Sequence, residues 1–485
     1  MQRLALIIAI CCCCGTAVAQ GAAPADEPEV RSTPLALPTQ RPDERRVEKP
    51  YTVELFGRPV EFGLKYEIGA ERRHNFDLDS RRENDREVLD HELKVDARLR
   101  ASDSVTLFLQ GIGLGDRRKS LRDGSVRIER SFERGQTWLQ VERVGGLPLS
   151  VQAGRVALIE RRSWWWDEDL DAVRLLFTPR NWRVETGLAR EVARVSSAAS
   201  DIDPDAKGLT RWYGDASVRW ARRHKLEAFW LVANDHSGAA PSGALFAPDS
   251  EDPVDAKLNW FGLRSSGEVR FESKHRLIYR ADAALVRGEE SRTSFGETGA
   301  GPLIAGATST RPVRGYAWDL GAQWILPGAA RPTFSLGVAK GSGGADDDSQ
   351  DHNFRQTGLQ ENKSRVGGVK RMRFYGELLD PELSNLRIVS AGFGLRFLGK
   401  NSVELLMHQY RQQQASTRLA GSRLSADPAG LNRDIGSEID FFIAVREWRH
   451  VEVTLNLSQF RPGAAFAADR RDPAYSVELG VALIF

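Results

Sequence analysis

The sequence predicts an all-β fold, a transmembrane antiparallel up-and-down β-barrel of about eighteen strands. Three observations lead to this prediction. Segments of about ten residues alternate apolar and polar side chains as far as the C-terminus, which is the period of a strand with two different faces. The connections between these segments alternate between short turns and long loops. After the first twenty or so residues, no apolar run reaches the roughly eighteen residues that a transmembrane helix needs.

The clearest strand is the last one, residues 475–485. Its apolar side chains, from Tyr475 to Phe485, take every second position, whereas Ser476 and Glu478 have the other parity. A soluble sandwich would cover the apolar face with a second sheet, but a strand of this length that ends in an aromatic residue also fits an outer-membrane span. The repetition of the pattern along the chain favours the membrane.

Upstream segments repeat this pattern. In the first of them, Phe62 and Leu64 have one parity and Lys65 has the other. A charged side chain facing lipid costs about 2–4 kcal/mol at mid-bilayer, so charges are expected on the lumen face. Together with the last strand, the expected strands lie near residues 60–70, 88–100, 104–114, 135–143, 149–158, 170–178, 182–190, 210–221, 225–234, 256–265, 275–287, 314–325, 332–340, 387–397, 402–411, 437–446 and 450–459.

The connections predict the orientation of the barrel. Short turns such as 101–103, 145–148 and 178–181 are each followed, one strand later, by a long loop. Bacterial barrels keep turns in the periplasm and loops outside, so both termini are expected in the periplasm. The longest connection, about 341–386, carries several lysines and arginines close together. It is too long for a passive link and is expected to fold into the pore or over its mouth.

The N-terminus has the features of a Sec signal peptide. An apolar run containing all four cysteines, Cys11 to Cys14, is followed by the small-residue sequence T-A-V-A. We therefore expect a signal peptide at 1–19, a Pro-rich periplasmic segment at 20–50 and the outer-membrane barrel at 51–485. Without cysteines, the mature chain depends on burial and backbone pairing for its stability.

Composition and motifs argue against several function classes. The formal net charge is only +2, and Arg3 is the one charged residue of the signal peptide, so no electrostatic argument supports a nucleic-acid partner. The eight histidines are scattered, and zinc-protease, serine-hydrolase and phosphate-loop motifs do not occur. We therefore expect neither enzymatic activity nor a cofactor nor a metal site.

Two clusters in the loops have alternative interpretations. The aspartates at 346–348, with Asp351, could hold a hard cation, but their spacing is not that of a calcium loop and a solvated loop is preferred. The tryptophans at 164–166 lie in a short outer loop just before Asp167. Rim aromatics usually contact headgroups, so these indoles are expected in the aromatic girdle rather than stacked on a sugar.

Strand parity places many charged side chains in the lumen. Arg98, Arg155 and Arg174 are among the basic ones, and rings of such residues suit anion pores because guanidinium groups pair with carboxylates. Asp96 and Glu185 are among the acidic side chains that face the same way. Mutual pairing of wall charges, which holds a wide barrel open, is the preferred interpretation for most of them.

Six stretches, in the same order along the chain, are similar to one known family. They are G-R at 154–155 followed by W-W-W-D-E-D-L-D-A-V (164–173), G-S-G-G (341–344), F-R-Q-T-G-L-Q-E-N (354–362), G-E at 376–377 with P-E-L-S-N-L (381–386), D-I-G-S-E-I-D (434–440) and F-R-P-G-A-A-F (460–466). In these stretches the chain resembles the alginate export porins of the outer membrane, the AlgE type.

The resemblance implies an eighteen-stranded monomeric barrel whose narrow, electropositive lumen passes a polyuronate. It implies gating by an inward-folded extracellular loop and a periplasmic turn, and partners among inner-membrane synthase and periplasmic assembly proteins. The expected function is therefore export of an anionic exopolysaccharide, alginate or a related polyuronate, through an arginine-lined lumen. A porin for small anionic or other solutes in the same outer-membrane lipid is the alternative.

The resemblance also implies roles for single residues. It places the family's constriction arginine at Arg98 and the acidic residue after the tryptophans at Asp167. Two basic residues of the long loop fall on Lys363 and Arg371. Two lysine or arginine positions of the family are instead occupied by Glu67 and Thr454, which leaves other anionic polymers open beside alginate. With the two arginines that parity adds, the expected substrate path consists of Arg98, Arg155, Asp167, Arg174, Lys363 and Arg371.

Overall fold

The computed structural model describes residues 50–82, 84–238, 241–246, 254–297, 303–344 and 349–485. The expected signal peptide, almost all of the Pro-rich segment and the aspartates at 346–348 lie outside the described residues. Across the described ranges, no helix is long and apolar enough to cross a membrane.

Strands make up most of the described chain. In order they are β1 (Tyr51–Leu55), β2 (Arg58–His74), β3 (Arg86–Arg100), β4 (Val105–Ser120), β5 (Val126–Val141), β6 (Leu149–Ile159), β7 (Asp167–Phe177), β8 (Trp182–Ala189), β9 (Thr210–Ala221), β10 (His224–Asn234), β11 (Leu245–Phe246), β12 (Val254–Arg270), β13 (Arg276–Glu297), β14 (Leu303–Ile325), β15 (Thr333–Gly341), β16 (Lys363–Ser364), β17 (Met372–Arg373), β18 (Leu386–Phe397), β19 (Asn401–Gln412), β20 (Asp434–Val445), β21 (Val451–Pro462) and β22 (Ala474–Ile484).

Eighteen of these strands form one closed antiparallel barrel in which each strand pairs with its neighbours along the chain. β2 pairs with β3 on one side and with β22 on the other, where Lys65 lies opposite Ile484 and His74 opposite Tyr475. This last pairing leaves the sheet without an open edge. The short strands β1, β11, β16 and β17 are additional to the barrel wall.

The predicted eighteen-stranded barrel is confirmed, and every expected strand overlaps an observed one. The main differences are at the loop ends of β4, β5, β13 and β14, which run further than expected. β14, for example, begins at Leu303 rather than near residue 314. These extensions carry polar residues on both faces, such as the consecutive residues Ser291 and Arg292 of β13, because both faces meet water beyond the lipid. The apolar alternation therefore stops before the strand does.

The barrel wall has an apolar outer face and a polar inner face. On β22, Tyr475, Val477 and Leu479 are 40–46% exposed, whereas Ser476 is 5% exposed. Apolar side chains exposed all around a barrel are explained by contact with lipid. At the turn end, exposed aromatic side chains form an aromatic rim. Its members are Phe177, Trp182, Trp220, Phe271, Trp324, Phe334, Phe397, Trp448 and Phe485.

The buried core lies inside the barrel. Two connections between strands fold inward and fill much of the lumen. One is the tryptophan loop, residues 160–166, between β6 and β7. The other is the lumen segment, residues 349–385, which is the greater part of the longest connection. Trp165, Leu378 and Leu383 from these two connections are at most 1% exposed.

Candidate functional site

The tryptophan loop packs against the inner wall. Trp164, Trp165 and Trp166 are 1–2% exposed, and Trp165 stacks on Phe229 of β10 with ring centroids 5.1 Å apart. Gly262 of β12 lies beside this indole, where a Cβ atom would come within 2.0 Å of it. The predicted position in the aromatic girdle is wrong, because inside the barrel the three indoles bury nearly all of their apolar surface.

Buried ion pairs anchor the tryptophan loop. The guanidinium of Arg162 donates to Asp282 at 2.7 Å and to Asp319 at 2.9 Å. Arg264 of β12 donates to the Glu160 carboxylate at 3.1 Å. Burial alone would raise the pKa of Glu160, but the ion pair with Arg264 lowers that pKa to about 2. Glu160 is therefore ionised whenever the loop is docked at neutral pH.

The lumen segment extends through the barrel to its turn end. The backbone amide of Gly368 donates to Glu404 at 2.9 Å, and that of Val369 donates to Ser402 at 3.0 Å. Both wall residues lie near the start of β19, which follows a short turn. Arg446, directly after the neighbouring strand β20, donates to the Val369 carbonyl at 2.6 Å. Wall side chains thus satisfy backbone groups that have no regular secondary structure.

The two inward connections contact each other. The indole nitrogen of Trp164 donates to the Tyr375 hydroxyl at 2.9 Å, and this hydroxyl donates to Asp319 at 2.7 Å. The Arg371 guanidinium donates to the Asp167 carboxylate at 2.8 Å. These bonds connect the tryptophan loop, the lumen segment and the wall. We refer to the tryptophan loop and the lumen segment together as the inner unit.

A cavity of about 470 Å³ remains between the lumen segment and one side of the wall. Strands β2, β3, β21 and β22 line its outer side, and residues 361–377 line its inner side. Six basic and seven acidic side chains border it, so the lining carries both signs of charge. They are Lys65, Lys94, Lys363, Lys370, Arg371 and Arg373, with Glu67, Glu92, Asp167, Glu361, Glu377, Glu452 and Glu478.

Each basic side chain of the cavity has an acidic neighbour at ion-pair distance. Lys94 and Glu92, on the wall, are 2.8 Å apart and remain 15% and 28% exposed. Pairs with this access to water are weak, so a passing carboxylate could compete for the cation. The pairs are Lys65–Glu67, Lys94–Glu92, Lys363–Glu361, Lys370–Glu452, Arg371–Asp167 and Arg373–Glu377.

Three of the six predicted path residues, Asp167, Lys363 and Arg371, border this cavity. Arg98 lies apart from it, near the turn end of β3. Its guanidinium donates to Glu61 of β2 at 3.0 Å, and both side chains are about one-third exposed. Arg98 is therefore accessible at the turn end of the barrel, but it has a carboxylate partner.

The other two predicted residues, Arg155 and Arg174, lie in the packed half of the lumen. Arg174 is 1% exposed and donates to Glu185 at 3.0 Å and to Gln152 at 2.6 Å. Arg155 is also buried, with its guanidinium 4.0 Å from Glu191. Parity indicated the inward direction of both side chains. It could not indicate that wall side chains enclose them away from the cavity.

Sequence reasoning left several lining residues out of the predicted path. Lys370 and Glu452 form an ion pair across the cavity, between the lumen segment and β21. Glu452 could have been found from its inward parity on β21, and Lys370 from the basic run K-R-M-R of the longest connection. Their pairing depends on how that connection folds, which strand periodicity does not determine.

A family model described as "Alginate export" matches residues 58–481. The "Alginate production protein AlgE" of Pseudomonas aeruginosa is 24% identical over 351 residues, which cover 71% of this chain and 69% of that relative. The protein of the same name from Azotobacter vinelandii is 22% identical over 302 residues, 60% of each chain. The sequence similarity therefore spans most of the barrel.

Solved structures show the same fold. The crystal structure of Pseudomonas aeruginosa OpdQ has a TM-score of 0.52 at 11% identity, and it covers 88% of this chain and 98% of that one. The outer membrane protein OpdK of the same organism has a TM-score of 0.50 at 12% identity with equal coverage. With the sequence relatives, these likenesses support the Gram-negative outer membrane as the location of this barrel.

Proposed function

Because the chain belongs to the alginate export family, we propose that it is an outer-membrane channel exporting an anionic exopolysaccharide, alginate or a related polyuronate. The observation that carries this proposal is the cavity beside the lumen segment. It offers six cationic side chains along a route inside the barrel wall, each next to a carboxylate. Nothing in this proposal requires an enzymatic step.

The pairing of the charges suits a polymer that has to keep moving. A polyuronate carries a carboxylate on every sugar, so it needs several weak cationic positions rather than one tight site. A substrate carboxylate near Lys94 or Lys370 competes with Glu92 or Glu452 for the same ammonium group. The protein carboxylate takes the cation back when the substrate moves on, so no position holds the polymer firmly.

The inner unit makes the route narrow. The lumen segment reaches the turn end of the barrel at Gly368 and Val369 and is tied to the wall along its length. We propose that movement of this segment widens the route for a polymer chain. The contact between Arg371 and Asp167 is the latch in this proposal, because it connects the segment to the start of β7.

The remaining predicted residues take different places in this proposal. Arg98, accessible at the turn end, is a first contact for the polymer as it enters. Lys363 acts next, along the cavity, and Arg371 holds the latch, while Arg155 and Arg174 hold the wall. We further propose a monomer that receives polymer from periplasmic and inner-membrane synthesis and secretion proteins, after removal of the expected signal peptide at 1–19.

Current recordings in planar bilayers test the export function. Polyuronate oligomers added on the periplasmic side should produce transient current blockades, whereas dextran of the same length should not. Combined Lys94→Gln and Lys370→Gln substitutions should shorten the blockades, and matched Lys274→Gln and Lys400→Gln changes at the short turns should not. A channel that passes small anions but ignores polyuronate would support the solute porin instead.

A further inference from the structure

Basic side chains lie on the lipid-facing side of the barrel at the loop ends of neighbouring strands. Lys340 follows the outward-facing Val338 on β15, and Arg387 comes just beyond the outward-facing Val389 on β18. Arg411 lies at the same end of β19. β13 and β14 have arginines at the corresponding outward positions. The five residues Arg287, Arg314, Lys340, Arg387 and Arg411 are called the basic belt.

The belt places like charges directly opposite one another. Lys340 pairs in register with Arg387, and Arg387 pairs with Arg411. Side chains at such positions have Cβ atoms about 5 Å apart, and like charges there are destabilising. Arg287 lies opposite Arg314 in the same way. On its other side, Arg411 lies opposite Asp434 of β20. Within the described residues, however, none of the five has an acidic side chain at ion-pair distance, in contrast to the basic side chains of the cavity.

Outward aromatic side chains lie at both ends of the barrel, with Tyr316 and Tyr475 toward the loop end, and the two ends differ in the basic belt. The turn end has the aromatic rim, which includes Trp324 and Phe334 on the same strands β14 and β15 that carry belt residues at their other ends. Aromatic side chains suit the interface of an ordinary phospholipid leaflet. The belt cations have no acidic partners among the described residues, although Lys340 lies over the Tyr316 ring at 5.8 Å from its centroid. Such a row of cations suits an interface with a high density of anionic groups. The barrel surface therefore distinguishes two leaflets of different charge.

We propose that the basic belt binds the phosphate groups of a phosphorylated glycolipid of the outer leaflet. Guanidinium groups bind phosphate oxygens in a fork, and lysine adds a point charge. Apolar side chains such as Val338 and Val389 lie directly below the belt, where they contact the acyl chains of the same lipid. A free phosphate ion would gain nothing from this apolar row. The belt faces away from the lumen, so it is separate from the proposed export route.

The test uses the full-length protein and diphosphoryl lipid A. Native mass spectrometry after extraction into detergent should show lipid A retained by the wild type. The triple variant Lys340→Gln, Arg387→Gln and Arg411→Gln should retain at least tenfold less. A control triple variant, Arg222→Gln, Lys274→Gln and Lys400→Gln, removes the same charge at the short turns and should retain as much as the wild type.

Thermal unfolding in two lipids separates binding from structural damage. In nanodiscs with diphosphoryl lipid A, the belt variant should unfold at a lower temperature than the wild type. In phosphate-free lipid it should be equal or more stable, because three mutually repelling charges are gone. The proposal would be overturned if the belt variant were less stable than the wild type in both lipids. It would also be overturned if the wild type retained dephosphorylated lipid A as well as diphosphoryl lipid A. A third contrary result would be displacement of bound lipid A by phosphatidylglycerol, inorganic phosphate or a polyuronate oligomer as readily as by lipid A itself.

Discussion

Arg371 and Asp167 form an ion pair inside the barrel, with 2.8 Å between guanidinium and carboxylate, although they are 204 residues apart in the chain. Both side chains are at most 5% exposed. The pair connects the lumen segment to the first residue of β7, directly after the tryptophan loop. The pair thus holds the lumen segment to the wall at the point where the tryptophan loop ends.

Removing one partner of this pair should loosen the lumen segment. Arg371→Met leaves the Asp167 carboxylate buried without its cation, which typically costs about 3–5 kcal/mol. We expect a larger and noisier single-channel conductance together with a lower unfolding temperature. Asp167→Asn should act in the same direction. The double variant should lose less than the sum of the two, and strict additivity would show that the pair does not act as a unit.

Replacing the lumen segment, residues 349–385, with a short Gly-Ser linker should widen the channel. The segment occupies lumen space next to the cavity, so its removal should raise single-channel conductance several-fold. As a control, the same linker in place of the exposed hairpin tip at 121–124 should leave conductance unchanged. If both replacements give the wild-type value, the segment does not limit the flow of ions.

Reversing the charge of Arg98 should alter ion selectivity. The residue is accessible near the turn end. Arg98→Glu would place a carboxylate next to that of its present partner, Glu61. We expect anion preference in the wild type, a shift of the reversal potential toward cations in Arg98→Glu, and a smaller shift at 1 M salt because of screening. A cation-selective wild type, or an unchanged reversal potential in the variant, would contradict polyanion export.

Glu160 predicts a pH dependence of stability. Its pKa is lowered from 4.5 to about 2 in the folded protein, because the ion pair with Arg264 outweighs the effect of burial. A carboxyl group whose pKa is lower in the folded than in the unfolded protein stabilises the fold at pH values above its unfolded-state pKa. This contribution to the free energy of unfolding is lost as the pH falls toward 2. The unfolding free energy of the wild type relative to Glu160→Gln should fall by roughly 3 kcal/mol between pH 6 and 2. A constant difference would contradict the ion pair.

Gly262 should not tolerate a side chain. A Cβ atom there would meet the Trp165 indole at 2.0 Å, so Gly262→Ala has to displace a buried ring. Overpacking of this kind costs about 1–3 kcal/mol. Gly113→Ala is the matched control, since its nearest neighbour would be 3.9 Å away. The heat-induced shift in gel mobility should occur at a lower temperature in Gly262→Ala than in Gly113→Ala. The same shift temperature in both variants would argue against the packing of Trp165.

The barrel wall could be predicted from the sequence because each strand contacts lipid on one face and a polar lumen on the other. This difference is local and repeats every second residue, as in Phe62, Leu64 and Lys65. The inner unit has no such period. Trp165 and Arg371 find partners that are far away in the chain, and only the completed fold brings those partners close.

The same reason explains why the direction of a wall side chain could be predicted better than its exposure to the cavity. Arg174 points inward as parity indicated, yet Gln152 and Glu185 enclose it. Lys94 also points inward and borders the open cavity. The two side chains differ in exposure because they face different halves of the lumen. The inner unit, rather than the strand, determines how much of each half stays open.

The pairing of β2 with β22 has a consequence for biogenesis. Lys65 and Ile484 lie opposite each other, so the barrel closes only when its last strand meets its first, and contacts between such distant residues form slowly. Both parts of the inner unit connect strands at the loop end, so after closure they can enter the lumen through the mouth of the barrel but not through its wall, which lipid surrounds. The order of wall closure and inner-unit docking therefore determines how permeable the barrel is while it assembles.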